Sequence, residues 1–170
     1  MGVITNMSNE VYHATAGISS SAAKAVYKKS LAHWKGEKRN PNNPAFAMGA
    51  LANPTCEKAL KHPDRLNEIS IFEKCPITSL MLKTRPDLMI ESENTVYDVK
   101  TTQDASPDGF ARECVKYGYF LQGAHYVMVC QLAGFSIKEF SFIACEKSAP
   151  YVSHMHVMGP EVMEWATVQL

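Results

Sequence analysis

The sequence predicts a single α/β domain built on a mixed β-sheet, and three observations lead to this fold class. The chain has 170 residues, which corresponds to about one domain and is enough to bury a sizeable core without cross-links. Its composition, 46% apolar and 20% charged, is that of an ordinary globular protein and excludes a disordered or fibrous chain. Its periodic segments occur in the order helix, helix, three strands, two helices, two strands.

The N-terminal region, residues 1–45, is predicted to be helical and basic. It has six Lys and Arg side chains against two Glu, so it carries +4 while the rest of the chain carries −4. Ser19–Ser21 are candidate N-caps for a helix over 18–35, and a second short helix is predicted over 45–60. A basic region on an acidic body favours a polyanionic partner, although a solvated helix face explains the same charges.

Strands and helices alternate through the rest of the chain. The predicted strands in the middle of the chain cover 68–74, 79–90 and 95–101, with a hairpin turn at 91–94. Ser106 as N-cap and Pro107 at the first helical position begin a helix that runs to about Tyr117, where Gly118 ends it. The remaining predicted elements are a helix over 119–133 stopped by Gly134, strands over 136–145 and 151–157, and a short helix after Pro160.

Several classes of protein are disfavoured by what the sequence lacks. It has no uninterrupted apolar stretch approaching 18 residues and no recognisable signal peptide, so we expect no membrane span and an intracellular location. The five cysteines are scattered singly without a C-x-x-C pair, which disfavours a disulfide framework, a zinc site or an iron–sulfur cluster. No glycine-rich phosphate loop is present, so nothing indicates a nucleotide-driven motor.

The predicted hairpin carries the most informative residues. If Ser92 and Glu93 form a two-residue turn, Asp87 lies opposite Asp98, with Cβ atoms about 4.5–5.5 Å apart. Side chains alternate along a strand, so Lys100 shares the face of Asp98, whereas a one-residue slip of register would separate the group. Paired carboxylates suit a hard cation such as Mg²⁺, and a nearby lysine stabilises charge on a phosphodiester. An ordinary charged surface hairpin is the alternative interpretation.

A series of short motifs surrounds this hairpin. In chain order they are Gly17-Ile18-Ser19-Ser20-Ser21, Met48-Gly49-Ala50, Arg85-Pro86-Asp87, Asp98-Val99-Lys100-Thr101-Thr102, and Tyr117-Gly118-Tyr119 followed by Gln122 and Tyr126. In this order they resemble the PD-(D/E)XK nuclease superfamily, in particular its exonuclease VIII (RecE-type) branch, which is related to RecB-type nucleases. The resemblance implies a restriction-endonuclease-like core with a central mixed β-sheet flanked by helices. It places that core at 46–170 of a single nuclease domain spanning 1–170.

The resemblance also implies a role for each matching residue. The positions that match catalytic residues are Asp87, Asp98, Lys100, Glu68, Gln122 and Tyr126. Metal ligation is implied for Asp87, Asp98 and Glu68 and for the carbonyl of Val99, and Lys100 matches the catalytic lysine. Gln122 and Tyr126 lie four residues apart and share one helix face, where they contact DNA phosphate or support the lysine. A half-buried glutamine and a core tyrosine are the alternative interpretation for that pair.

One position departs from the family pattern. RecB-type nucleases often have a metal-ligating histidine four residues after the glycine of the early helix, and here Asn53 stands at that distance from Gly49. An asparagine carbonyl is a weaker ligand, so the metal affinity is in question. His154 and His156 are a weaker metal candidate on a predicted strand. The candidate DNA-binding residues are Arg85, Arg112, Lys116, Lys28 and Lys29, each equally explained as a solvated charge.

The function that the resemblance implies is a Mg²⁺-dependent exodeoxyribonuclease, with Mn²⁺ as a substitute, that digests linear double-stranded DNA from 5′ ends. The implied partners are DNA ends, further copies of the chain in a trimeric or tetrameric ring, and a single-strand annealing protein. The implied setting is phage or prophage recombination in a bacterial cytoplasm, without a membrane. Two alternatives stay open: a PD-(D/E)XK endonuclease, and a DNA-binding module with weak or no catalysis on the same fold.

Overall fold

The computed structural model describes residues 2–28 and 53–170. Its strands are β1 (Gly2–Ile4), β2 (Arg65–Asn67), β3 (Ser70–Lys74), β4 (Met81–Thr84), β5 (Leu88–Ile90), β6 (Thr95–Thr102), β7 (Glu139–Glu146) and β8 (Ser153–Val157). Its helices are α1 (Asn9–Ala14), α2 (Ser20–Lys28), α3 (Pro54–Leu60), α4 (Pro107–Tyr117), α5 (Tyr119–Leu132) and α6 (Pro160–Val168). Within these residues, none of the helices has the length and apolar composition that a membrane crossing requires.

The described strands form two sheets. A three-stranded antiparallel sheet has the order β1-β3-β4. A five-stranded sheet has the order β2-β5-β6-β7-β8, in which β6 and β7 pair in parallel and the other neighbours pair antiparallel. Helices α4 and α5 form the crossover between the two parallel strands, since parallel neighbours need a long connection. The predicted mixed sheet flanked by helices is therefore confirmed.

The central strand β6 presents different side chains to the two faces of the five-stranded sheet. Tyr97 and Val99 belong to an apolar cluster that includes Cys56 of α3. Val96 belongs to a larger cluster on the other face, which includes Val127 of α5. Because side chains alternate along a strand, Asp98 shares the face of Val96 and is buried beneath α5.

Helix α5 covers this polar position closely. Its residues 121–127 are all buried, so the helix is enclosed on most sides. Gly123 allows the approach, because a Cβ at that position would lie 2.9 Å from Phe140 Cδ1 and 2.7 Å from Met158 Sδ. A larger residue would force the helix or these side chains to move. The close approach of α5 at Gly123 therefore helps to bring Gln122, one residue earlier, within reach of Asp98.

The prediction of one strand over 79–90 is wrong. The segment forms two strands that belong to different sheets, β4 in the three-stranded sheet and β5 in the five-stranded sheet. Arg85, Pro86 and Asp87 lie at the break. Pro86 has no N–H to donate to a sheet ladder, and it restricts the backbone of the residue before it. Arg85 therefore follows the last residue of β4, and Asp87 precedes the first residue of β5. Neither residue belongs to a strand.

The other differences concern short elements and two helices of which the structure describes only a part. β1, α1 and β2 were not expected, because elements of three to six residues give no clear periodicity. The helix predicted over 18–35 begins at Ser20, and its continuation from 29 lies outside the described residues. The helix predicted over 45–60 is described only from Pro54 onward. The helices predicted at 106–117 and 119–133, the latter ending one residue earlier, and the helix after Pro160 are confirmed.

Candidate functional site

The register of the β5–β6 hairpin is the one that the sequence predicts. Ile90 pairs with Thr95 and Leu88 pairs with Tyr97. The connection is a 3₁₀ turn over Glu91–Glu93 followed by Asn94 in a left-handed conformation, rather than a two-residue turn. The predicted two-residue turn and the observed 3₁₀ turn both join Ile90 to Thr95 as the pair next to the connection, so the register is the same. Asp87, the residue before β5, therefore lies one position beyond the Leu88–Tyr97 pair and next to Asp98 of β6.

The Asp87 carboxylate is anchored to the neighbouring strand through the backbone. Its Oδ2 accepts a hydrogen bond of 2.7 Å from the N–H of Val99. This contact fixes the side chain toward β6, because the carboxylate takes the place of a main-chain acceptor. Val99 thus belongs to the site through its backbone, while its side chain packs in the apolar cluster on the opposite face.

Asp98 lies at the centre of a chain of polar contacts beneath α5. Its side chain is 3% exposed, its Oδ1 accepts a 2.6 Å hydrogen bond from Gln122 Nε2, and its Oδ2 pairs with the ammonium of Lys100. Burial of an ionised carboxylate costs several kcal/mol unless charge and hydrogen bonds compensate, and here both do. The structure therefore brings together three predicted residues, with Gln122 supporting Asp98 rather than the lysine.

Lys24 of α2 extends this chain, and the sequence analysis did not single it out. Its Nζ donates a 3.0 Å hydrogen bond to Gln122 Oε1. This contact orients the Gln122 amide, because the oxygen faces the ammonium and the nitrogen faces Asp98. The only sequence signal for Lys24 was its place in the basic N-terminal region, one charge among six. The structure thus places a second lysine next to the predicted site.

Burial and a neighbouring carboxylate oppose ionisation of Asp87. Burial, followed by the negative charge of Asp98, raises the pKa of Asp87 to about 7. The positive charge of Lys100 and the N–H of Val99 act in the opposite direction, and Glu68 adds a smaller upward contribution. Burial away from water and the neighbouring carboxylate thus both oppose ionisation of Asp87 in the metal-free chain, which favours uptake of a proton or of a cation there.

Glu68 and Arg85 form a second arm of the site. Glu68 lies just before β3 rather than within the strand, with a left-handed backbone (φ 48°). Arg85 Nη2 donates to Glu68 Oε2 at 3.1 Å and to the carbonyl of Met7 at 2.9 Å. Both side chains, together with Asp87 and Tyr126, line a cavity of about 160 Å³ at the N-terminal end of α2. Ser20 at the start of that helix lines the same cavity.

The structure does not bring Asn53 to this cluster. Asn53 caps α3, where its Oδ1 accepts a 2.9 Å hydrogen bond from the N–H of Thr55 and its Nδ2 donates to the carbonyl of Ser153 at 3.1 Å. Helix α3 packs on the sheet face opposite to α5. The expectation that Asn53 contributes a metal ligand is therefore wrong, because both ends of its amide are used to fix α3 to β8.

His154 and His156 do not form a metal site in this arrangement. Their ring centroids lie 4.7 Å apart. His156 Nε2 is hydrogen-bonded to the carbonyl of Ala105 at 3.0 Å, and its ring stacks on Phe110 at 4.7 Å. These contacts identify His156 as a packing residue that fixes the loop before α4.

The candidate DNA-binding residues are placed in different environments. Arg112 is 74% exposed on α4, with Nη2 3.7 Å from Asp104 Oδ2. Lys116 is on the same helix, with its Nζ 5.1 Å from the ring centroid of Tyr117. Arg85 is only 12% exposed and is held by Glu68. Lys29 and the side chain of Lys28 lie outside the described residues.

The donor set fits a hard divalent cation with few protein ligands. Within residues 2–28 and 53–170, no three His, Cys, Asp or Glu side chains are grouped closely enough to hold a metal by themselves. Mg²⁺, however, keeps several waters and is commonly bound by one or two carboxylates together with substrate phosphates. Asp87 and Asp98 supply two such carboxylates, and they lie close enough together for the charge of Asp98 to add to burial in raising the pKa of Asp87.

Comparison with known proteins agrees with this geometry. Residues 67–170 match the family described as PDDEXK-like domain of unknown function (DUF3799). The chain belongs to this PDDEXK-like family. The matched part includes Asp87, Asp98, Lys100, Gln122 and Tyr126, so the PD-(D/E)XK superfamily assignment made from the motifs is confirmed.

A solved structure shows the same fold in another protein. It is the crystal structure of a protein from Eubacterium rectale provisionally described as an exonuclease, with a TM-score of 0.56 and 14% sequence identity. The alignment covers 89% of this chain and 64% of that chain, so this chain spans less than two thirds of its length. At this identity the likeness concerns the fold. A search of curated proteins gives no match.

Proposed function

We propose that this PDDEXK-like chain is a divalent-metal-dependent deoxyribonuclease that hydrolyses phosphodiester bonds of linear double-stranded DNA. The observation that carries the proposal is the Asp87–Asp98–Lys100 cluster. It combines two carboxylates on adjacent strands with a lysine held against one of them, beneath a helix that supplies a supporting glutamine. Hydrolysis of a phosphodiester needs a cation that activates a water and a positive group near the phosphate. The two carboxylates would hold the cation, and Lys100 supplies the positive group.

Each residue has a separate task in the proposed reaction. When bound, Mg²⁺ lowers the pKa of a water molecule and offsets the negative charge of the phosphodiester. Asp87 and Asp98 hold it, with Asp87 oriented by the N–H of Val99 and Asp98 oriented by Gln122. Lys100 keeps a positive charge beside Asp98, where it stabilises the charge that builds on the phosphate in the transition state.

The finer parts of the proposal rest on the RecE-type resemblance. They are attack from DNA ends in the 5′-to-3′ direction, Mg²⁺ replaceable by Mn²⁺, a ring of three or four copies, and cooperation with a single-strand annealing protein. A phage or prophage recombination pathway in the bacterial cytoplasm is proposed on the same ground. The provisional exonuclease description of the Eubacterium rectale protein supports attack from ends.

The test is digestion of DNA of different topology. Linear duplex DNA labelled at the 5′ or the 3′ end, and closed circular duplex DNA, are incubated with the chain and Mg²⁺. The expected result is loss of linear DNA alone, with the 5′ label released first, and no loss in EDTA or with Lys100→Ala. Cutting of the circle would replace the exonuclease by a PD-(D/E)XK endonuclease, and release of the 3′ label first would reverse the polarity.

A second candidate function is a DNA-binding module with little or no catalysis. The observation in its favour is that Lys100 and Gln122 already occupy both oxygens of Asp98, and that Asn53 caps a helix instead of adding a ligand. DNA that binds to the chain but stays intact in Mg²⁺ and in Mn²⁺ would support this candidate and contradict the nuclease.

A further inference from the structure

Two tyrosines on either side of Gly118 form a short stack of rings at the junction of α4 and α5. Tyr117 is the last residue of α4, and Tyr119 is the first residue of α5. Their ring centroids lie 5.5 Å apart with an interplanar angle of 29°. Gly118 adopts φ 65°, a left-handed conformation that glycine accepts at low cost, and this turn allows the rings to stack.

The inner ring of the stack is fixed in the protein. Tyr119 packs against Phe110 and Phe142, with ring centroids 6.0 and 5.7 Å away. Tyr117 has a different environment, because it is 43% exposed at the surface. The core therefore accounts for Tyr119, whereas the partly exposed ring of Tyr117 stacked on it is not needed for packing.

The stack leads directly to the candidate active site. Lys100 Nζ lies 5.1 Å from the ring centroid of Tyr119, and Lys24 Nζ lies 5.3 Å from the same centroid. Lys116 Nζ lies 5.1 Å from the ring centroid of Tyr117. Lys116 thus lies at the outer ring of the stack, and Lys24 and Lys100 lie at the inner ring. Aromatic rings for bases with lysines for phosphates are the features by which proteins bind single-stranded nucleic acid.

We propose that Tyr117 is a stacking platform for an unpaired nucleobase of the DNA strand whose phosphate lies at Lys100. The inference rests on the proposed nuclease function and deepens it, because it names the form of DNA that the site takes. Successive nucleotides of a strand are spaced by about 3.4 Å in a duplex and by more when the strand is extended. The base of the scissile nucleotide or of its neighbour therefore reaches Tyr117, one ring beyond Tyr119.

This placement predicts a preference among DNA ends. A base that stacks on Tyr117 has left its own duplex, so the strand must be unpaired for one or two nucleotides at the site. An end that is already frayed or single-stranded avoids the cost of unpairing. A base that stacks on the outer face of Tyr117 takes the place of the Lys116 ammonium there, and the ammonium then faces the phosphates of the same strand.

The experiment uses 2-aminopurine, a base whose fluorescence is quenched by stacking. The probe is placed at the first or the second unpaired nucleotide of a short 5′ or 3′ overhang, in separate duplexes. Each duplex is titrated with the full chain in Ca²⁺ and in EDTA, and the fluorescence and the affinity are recorded. The variants are Tyr117→Ala, Tyr117→Phe, which keeps the ring, and Tyr151→Ala, which removes an exposed tyrosine elsewhere.

The expected result is quenching of at least one probe by the unchanged chain, by Tyr117→Phe and by Tyr151→Ala. Tyr117→Ala is expected to lose the quenching and to bind overhang DNA about 5- to 150-fold more weakly, with a smaller loss for blunt DNA. Equal quenching with Tyr117→Ala, or bound DNA with no quenching at any position, would overturn the platform.

The outcome also separates this inference from the proposed function. A chain that digests linear DNA in Mg²⁺ but quenches no probe is a nuclease without the platform. A chain that neither binds nor digests DNA contradicts both proposals. Circular dichroism of each variant shows whether it is folded, and Tyr117→Leu, which removes the ring but keeps an apolar side chain, replaces Tyr117→Ala if that variant does not fold.

Discussion

Lys83 and Lys100 lie on different sheets of this chain, and the acceptors of their ammonium groups differ. Lys83 of β4 is 6% exposed, and its Nζ donates to the carbonyls of Tyr12 at 2.9 Å and Thr15 at 2.6 Å. Lys100 of β6 has an 18% exposed side chain and pairs with the carboxylate of Asp98. Each ammonium also lies near a tyrosine ring, 4.8 Å from Tyr12 and 5.1 Å from Tyr119.

The acceptors decide what each lysine does. The carbonyls at Lys83 belong to the end of α1, so the lysine fixes that helix to the three-stranded sheet. The carboxylate at Lys100 is charged and lies beside a second carboxylate, Asp87, whose pKa is raised to about 7. A cation or a phosphate that enters there changes the charge balance, so Lys100 has partners to exchange. Burial alone therefore does not mark a functional lysine, whereas the charge of its acceptor does.

The largest expected effect comes from replacing each lysine by methionine. Lys100→Met should lower the rate of DNA hydrolysis by about 10²–10³-fold, because a positive group at the developing charge is lost. Its free energy of unfolding should fall as well, because the buried Asp98 carboxylate loses its positively charged partner, so rates are compared per folded molecule. Lys83→Met should instead lower the free energy of unfolding by about 1–3 kcal/mol, because two buried carbonyls lose their donor. Hydrolysis rates and urea unfolding of both variants provide the measurement.

The comparison fails if the two variants behave alike. Equal loss of hydrolysis per folded molecule in Lys83→Met and Lys100→Met would show that both lysines act through structure. Full hydrolysis per folded molecule by Lys100→Met would leave Lys100 with a structural role alone.

The next effect concerns pH and the metal-free chain. The pKa of Asp87 rises from 3.8 to about 7, so between these values the folded chain keeps a proton that the unfolded chain releases. The free energy of unfolding should therefore fall as the pH rises through this window and level off above it. Asp87→Asn should remove that part of the slope and be more stable than the unchanged chain at pH 7.5, by at most about 4 kcal/mol. Urea unfolding in EDTA from pH 4 to 8 measures both.

Two parallel unfolding profiles, with and without Asp87→Asn, would contradict the crowded arrangement of carboxylates. Addition of Mg²⁺ at pH 7.5 is expected to restore stability to the unchanged chain and not to Asp87→Asn, because the cation takes the place of the proton.

The smallest effect is expected at Lys24. Lys24→Met removes the donor that orients the Gln122 amide, and hydrolysis should fall by about 3- to 10-fold because a charged hydrogen bond to a neutral group is lost. The rate of hydrolysis should fall further with Gln122→Leu, because Asp98 then loses its hydrogen bond from the Gln122 amide. Lys61→Met, in an exposed pair with Glu57 on α3, is the matched control and should leave the rate unchanged. A rate unaffected by Lys24→Met would limit the site to Gln122 and the hairpin.

The sequence was sufficient for the parts of the fold that depend on local chemistry. The hairpin register follows from the alternation of apolar residues on both strands, and it brought Asp87, Asp98 and Lys100 to one face as predicted. The start of α4 follows from Ser106 and Pro107, and Ser106 Oγ does accept a hydrogen bond of 3.2 Å from the N–H of Gly109. In each case the deciding partner lies within a few residues.

Long-range contacts could not be predicted in the same way. Lys24 is 98 residues from Gln122, and no local pattern links them. Asn53 is 100 residues from its partner Ser153, so its helix could not be assigned to the opposite sheet face from spacing alone. The transfer of the chain between two sheets at Pro86 depends on which strands lie beside it, although the proline itself was a sign that the strand ends there.

The most direct test of the catalytic centre is hydrolysis of end-labelled linear duplex DNA in Mg²⁺ by the unchanged chain, by Asp98→Asn and by Asp108→Asn. Asp98→Asn keeps the shape and an acceptor for Gln122 but removes the charge at the cluster. Asp108 is an exposed acid in the first turn of α4. We expect digestion by the unchanged chain and by Asp108→Asn, and digestion slower by at least about 100-fold with Asp98→Asn. Digestion at equal rates by all three proteins would place the catalytic centre elsewhere.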